Sequence, residues 1–151
     1  MLSRVKIWGI AFALAGFLPS LSASGFTLIT AEEAKLPEGG PIDGEKALIP
    51  GPTISVLFPR GDATSKSPIL FFVSFKPYGR TAVNLDSLRI TYIKRPPIDL
   101  TQRVRNFIKL NDQGFKIENV EVPPGTHVVR IEIEDREGRP GSQVVVFTTL
   151  P

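Results

Sequence analysis

From Pro52 onward the chain is a succession of short apolar runs of period two, separated by turn residues and never by a long helical pattern. Thr53–Phe58 sets Ile54, Val56 and Phe58 on one face. Ile69–Phe75 groups Ile69, Phe71, Val73 and Phe75, with Leu70 and Phe72 opposite. Leu88–Ile93 sets Leu88, Ile90 and Tyr92 against Arg89, Thr91 and Ile93, and Phe115–Val122 is a weaker run. Val128–Ile133 alternates Val129, Ile131 and Ile133 with Arg130 and Glu132, and Gln143–Leu150 is apolar on both faces through Val144, Val145, Val146 and Phe147. Successive side chains of a strand point to opposite sides, so such alternation marks strands with one buried face. Parallel strands need long, usually helical crossovers, and the spacing leaves no room for them. The expectation is an all-β fold, a single sandwich of about seven strands over residues 52–151.

One segment departs from that rhythm. Between Asp99 and Lys109 the apolar residues fall at Leu100, Val104, Phe107 and Ile108, which is helical spacing. Asp99 with Gln102 suits a helix start. The spacing predicts a short helix that lids the core with Leu100, Val104 and Phe107; a bulged edge strand fits the same residues.

Residues 1–24 read differently. Arg4 and Lys6 precede an uncharged stretch of 12 residues, Ile7–Leu18, followed by Pro19 and the small residues Ser20, Ser22, Ala23, Ser24 and Gly25. That order is a secretory signal peptide, and 12 residues are too few to cross a bilayer as a helix. Ser22 and Ser24 favour cleavage before Gly25, and cleavage before Ala23 also fits. The chain is therefore expected to be exported, periplasmic or secreted, with no membrane span left after processing. Residues 25–51 follow as a Pro/Gly-rich lead-in. Thr30-Ala31-Glu32-Glu33 fits a capping box, but Leu36–Pro52 holds four prolines and four glycines in 17 residues. The segment is expected to be a flexible tether outside the core.

Charge narrows the functional classes. The whole chain carries +3, but residues 25–151 carry only +1, because the leader holds two cations and no acid. A near-neutral domain gives no reason to expect nucleic acid. Residues 60–109 nevertheless carry a net +7, against −3 for each flanking segment. That bias suggests an acidic protein, an envelope polysaccharide or a lipid headgroup as partner, unless the charges disperse over the surface. With no cysteine and a single histidine, His127, neither a disulfide nor a zinc or soft-metal set can be assembled. No cofactor is expected. Asp135 and Glu137 lack the alternating carboxylates of a dedicated calcium loop. Glu132 and Glu134 fall on the solvent face of their strand, and Gly138-Arg139-Pro140-Gly141 precedes a strand, not the helix a phosphate loop needs. No catalytic residue is assigned.

The run Gly125-Thr126-His127, then Val129, Ile131 and Ile133, then Asp135 and Gly138, resembles the last strand pair of bacterial immunoglobulin-like domains. Val122-Pro123-Pro124 before it and Ser142–Phe147 after it are similar to that family as well. The fibronectin type III pattern is alike, with Tyr where His127 stands. The likeness covers about residues 52–151, with specific matches within 123–147. It implies a single immunoglobulin-like Greek-key β-sandwich used for adhesion, spacing or ligand contact. It also implies that His127 is a corner residue hydrogen-bonded to nearby backbone. Family members often occur as tandem repeats, whereas here one copy follows the leader.

In that topology the loop after the second strand and the loop between the last two lie at one end. Lys76-Pro77-Tyr78-Gly79-Arg80 and Arg136-Glu137-Gly138-Arg139-Pro140 then form one tip. Tyr78, Arg80, Arg136 and Arg139 are the candidate binding residues, an aromatic ring among cations. The functional expectation is an exported, non-enzymatic interaction module. Its rivals are a small polysaccharide-acting enzyme or enzyme accessory, and a structural component of an envelope complex. The last is suggested by the two-sided apolar strands at 69–73 and 144–147, unless the lead-in folds back over one face.

Overall fold

The computed structural model describes residues 25–40, 50–61 and 63–151. Residues 1–24, the expected signal peptide, lie outside them, as do residues 41–49 of the lead-in. Nine strands are present among the described residues: β1 (Phe26–Thr27), β2 (Thr53–Phe58), β3 (Thr64–Lys66), β4 (Ile69–Lys76), β5 (Val83–Tyr92), β6 (Ile98–Asp99), β7 (Gly114–Glu121), β8 (Gly125–Asp135) and β9 (Pro140–Leu150). Two short helices accompany them, α1 (Ala31–Ala34) and α2 (Thr101–Arg105). The strands form a four-stranded sheet of order β1-β7-β4-β2 and a five-stranded sheet of order β3-β9-β8-β5-β6. The architecture is all-β and sandwich-like. No helix among the described residues is long and apolar enough to cross a membrane.

The core sits where the alternation places it. Ile69, Phe71, Val73 and Phe75 of β4 are all buried, as are Leu88, Ile90 and Tyr92 of β5 and Val129, Ile131 and Ile133 of β8. Phe71 stacks on Phe115 within its own sheet and meets Phe147 of β9 edge-on across the sandwich, both at 6.3 Å between ring centroids. Such tilted and offset contacts are the arrangements the ring quadrupole favours.

The six anticipated strands are present, and three short ones join them. The chain leaves the first sheet at Phe58 and re-enters the second as β3, which runs parallel to β9 from Thr64 to Lys66. A register shift between Val56 and Phe58 accompanies the switch, so Phe58 pairs with Phe72 instead of facing the core and is 40% exposed. Pro59 then has no N–H with which to extend the ladder.

The lead-in departs from the expected tether. Phe26, Leu28 and Ile29 belong to the core, at 8%, 1% and 1% exposure. β1 adds as a parallel strand to the edge of β7, pairing Phe26 with Val120 and Thr27 with Glu121. An apolar stretch this short shows no period, and only the open edge beside β7 gives it a place to bury. The Thr30 capping box does form: the Glu33 N–H donates to Thr30 Oγ1 at 3.2 Å, and the Thr30 N–H donates to Glu33 Oε2 at 2.9 Å. Farther on, Glu38 bridges Lys94, with the Gly39 N–H donating to the Ile93 carbonyl and the Arg95 N–H to that of Pro37.

The expected helix is present but shorter, ending at Arg105. Leu100 and Val104 are fully buried, whereas Phe107 is 63% exposed and lies instead over Phe26, 4.1 Å between centroids. Asp99 serves the helix start without Gln102, its Oδ1 accepting the Thr101 N–H at 2.8 Å. The Thr101 hydroxyl accepts the Ile90 N–H at 2.9 Å, tying the helix to β5.

Candidate functional site

His127 sits inside the sandwich at 1% exposure. Its Nε2 lies 2.9 Å from the Pro123 carbonyl, which can only accept, so this nitrogen carries the proton. Nδ1 is then free to accept from the Tyr92 hydroxyl at 3.0 Å. The Thr149 hydroxyl donates to the same Pro123 carbonyl at 2.5 Å. Burial pushes the imidazole below its ordinary pKa and the Tyr92 phenol above its own, which keeps both neutral. Lys94 closes this polar chain. It is 4% exposed, its Nζ is 2.5 Å from Glu38 Oε1, and it lies 5.3 Å from the Tyr92 ring centroid. Burial alone would lower the lysine pKa, but the Glu38 carboxylate carries it above the ordinary value. Every buried side-chain nitrogen and oxygen among the described residues has a partner. The buried part of this chain, from Thr149 through His127 to Tyr92, is fully satisfied and fixes the turn from Pro123 into β8.

At one end of the molecule the β4–β5 and β8–β9 loops meet. The second is a hairpin turn in which the Gly138 N–H donates to the Asp135 carbonyl at 3.0 Å and Asp135 N–H donates to Arg139 O at 3.1 Å. Gly138 has φ +76°, a left-handed conformation that glycine adopts without strain. Asp135, 1% exposed, accepts the Glu137 and Arg139 N–H groups through Oδ1 at 2.9 and 3.0 Å and Arg139 Nε through Oδ2 at 2.6 Å. Burial would raise its pKa, yet the backbone N–H groups and the Arg139 guanidinium hold it below the usual carboxylate range. Both carboxylate oxygens are thus taken by the turn itself, which accounts for the Asp-x-x-Gly spacing without a cation. No cluster of three or more His, Cys, Asp or Glu side chains fit for a metal occurs among the described residues.

The loops are tied across. Arg139 Nη2 donates to Thr81 Oγ1 at 2.8 Å, the Thr81 hydroxyl donates to Glu137 at 2.8 Å, and the Arg136 N–H donates to Ala82 O at 3.0 Å. Tyr78 and Arg139 are brought together, with the guanidinium carbon 5.2 Å from the ring centroid, and Tyr78 is 44% exposed. Arg80 and Arg136 are exposed in the same two loops and have no ion-pair partner among the described residues. Arg139 differs from the expectation, because its guanidinium is turned inward on Asp135, Glu137 and Thr81. It holds the ring and the turn, leaving Tyr78, Arg80 and Arg136 to face outward.

The basic middle of the chain is partly consumed inside the fold. Lys94 pairs with Glu38, and Arg103 pairs with Glu33 at 2.5 Å. Arg105 Nη2 caps the carbonyls of Leu85 at 2.8 Å and Asp86 at 3.1 Å, on the open side of β5. These partners lie far off in sequence, so local charge counting could not find them.

No protein-family model matches this chain, and no curated protein does.

Proposed function

We propose that the protein is an exported, non-enzymatic interaction module with an immunoglobulin-like Greek-key sandwich, which binds an acidic surface of a partner protein through its β4–β5 and β8–β9 loops. The strand order supports the family reading. β4 and β5 lie in different sheets, β7 returns beside β4, and β8 returns beside β5. His127 makes the backbone contact at the Gly125-Thr126-His127 corner that the family likeness implies, and this supports the same reading.

The observation that carries the functional reading is the Tyr78 ring. It stays 44% exposed while Arg139 backs it at 5.2 Å, and Arg139 is itself fixed by Asp135. An aromatic side chain already held in place loses little entropy on binding, and its amphipathic ring beside free cations is the composition enriched at interfaces. Arg80 and Arg136 supply the charge that favours an acidic partner and speeds encounter. Affinity capture with the tagged protein from envelope extracts tests this. An acidic protein retained at low salt and released at high salt is the expected result. Retention of an envelope polysaccharide, or of nothing, would overturn it.

A further inference from the structure

The outer face of the four-stranded sheet carries an apolar patch. Leu57 and Phe58 are exposed at 41% and 40%, and Phe58 pairs across the ladder with Phe72. Phe72 pairs in turn with Lys116, giving a row Phe58, Phe72, Lys116 across three strands. Between Leu57, Phe72, Lys109 and Lys116 lies an open cleft of about 390 Å³. No acid lines that cleft, and Arg60 lies over the Phe58 ring at 5.5 Å. The described lead-in does not cover this face: it pairs along the far edge, at β7. An apolar centre is thus rimmed by Arg60, Lys109 and Lys116.

We propose that this face docks on an anionic lipid bilayer, with Leu57, Phe58 and Phe72 at the acyl boundary and the three cations on headgroup phosphates. Charge complementarity selects the occupant. A cationic rim repels the same rim of a second copy, and it matches the negative potential of anionic lipid. An extended peptide is disfavoured, because the register shift between Val56 and Phe58 interrupts the edge on which a strand would add. Lys116 spends its charge on Glu118 at 2.5 Å, but both side chains are more than half exposed, at 51% and 66%, and part without a desolvation cost. The site is separate from the loop tip, so a module bound by this face keeps Tyr78 available.

Because the chain has no cysteine, a single environment-sensitive label can be placed at will. Ser55→Cys puts it beside Leu57 on the outward side of β2, and Thr126→Cys puts it on the exposed outside of β8 in the other sheet. The probe is a vesicle of phosphatidylcholine with about a third phosphatidylglycerol at low salt, with pure phosphatidylcholine as control. The label at position 55 should shift to an apolar environment on the anionic vesicles alone, and the label at 126 should not. Lys109→Glu with Lys116→Glu should weaken that response at least about tenfold, since each cation near such a surface contributes roughly a factor of five. Melting of the double variant is measured alongside, and Leu57→Ser gives a charge-neutral second test. All proteins share the same residues 1–24, so the site-specific difference reads the sheet face and not the leader. Equal shifts at both labels, no shift at position 55, an equal response to neutral vesicles, or an unchanged response in both variants would overturn the proposal. An acidic protein that occupies position 55 in place of the vesicles would overturn it too.

Discussion

Glu33→Gln removes the charge that fastens the lead-in to the domain. The Glu33 carboxylate accepts from Arg103 Nη2 at 2.5 Å and Nη1 at 2.8 Å, and from the Thr30 N–H at 2.9 Å. Nη1 also donates to the Leu28 carbonyl at 3.0 Å, so one guanidinium holds both α1 and the strand end before it. The hydrogen bonds to Arg103 are the main reason that the Glu33 pKa falls from 4.5 to about 2, against the opposing effect of burial. That difference corresponds to roughly 3 kcal/mol as an upper limit. The Arg103 side chain is 36% exposed, and screening reduces the contribution to about 1–2 kcal/mol. A lowered folded-state pKa stabilises above the unfolded value and is lost below it. The contribution is therefore complete above about pH 5 and disappears as the pH falls from 4.5 towards 2. Urea unfolding followed by far-ultraviolet circular dichroism, run between neutral pH and pH 2, measures this directly. Wild type should lose stability across that window, and the variant should start about 1–2 kcal/mol lower and lose correspondingly less. A variant with the wild-type slope would refute the assignment, and so would one equally stable at neutral pH.

Two further outcomes follow from the same packing, and a third from the order of residues 1–25. His127→Ala leaves the Pro123 carbonyl and the Tyr92 hydroxyl short of a partner and should cost about 1–2 kcal/mol in urea unfolding, while partner binding at low temperature survives. Phe26→Ala opens a cavity against Phe107 and the β7 edge and should cost about 3 kcal/mol; an unchanged melting temperature would return residues 25–30 to the status of a tether. Protein recovered from its host should begin between Ala23 and Gly25, read by mass spectrometry, and an intact Met1 terminus on membrane-bound material would overturn the export reading.

The sequence made legible what is local. Period-two alternation locates β2, β5 and β8, because each buries one face and its side chains must alternate to do so, while β4 and β9 stand out as short runs apolar on both faces. The Thr30 capping box is readable for the same reason, because its partners lie three residues apart; the tip formed by two loops follows instead from the topology that the family resemblance implies. What escaped is long-range. Phe26–Ile29 offers too few residues to show a period, and only the open β7 edge, some ninety positions on, gives it a strand to join. Glu33 and Arg103 are 70 residues apart, Glu38 and Lys94 56 apart, so their pairing left no mark on local charge patterns. Loop cations usually face outward, whereas the buried Asp135 four residues before Arg139 turns it in. The apolar outer positions Leu70 and Phe72 were visible as a two-sided strand, but only the bulge at Phe58 brought a second aromatic beside them.

Tyr78 and the exposed Arg80 and Arg136 are the side chains proposed to bind the partner. Titrating the captured partner against wild type and the Tyr78→Ala, Arg80→Ala double variant, with melting temperatures recorded in parallel, tests it most directly. The double variant should bind at least about fivefold more weakly, near 1 kcal/mol, with melting almost unchanged because both side chains are exposed. A partner that binds the double variant as tightly as wild type at low salt would contradict it.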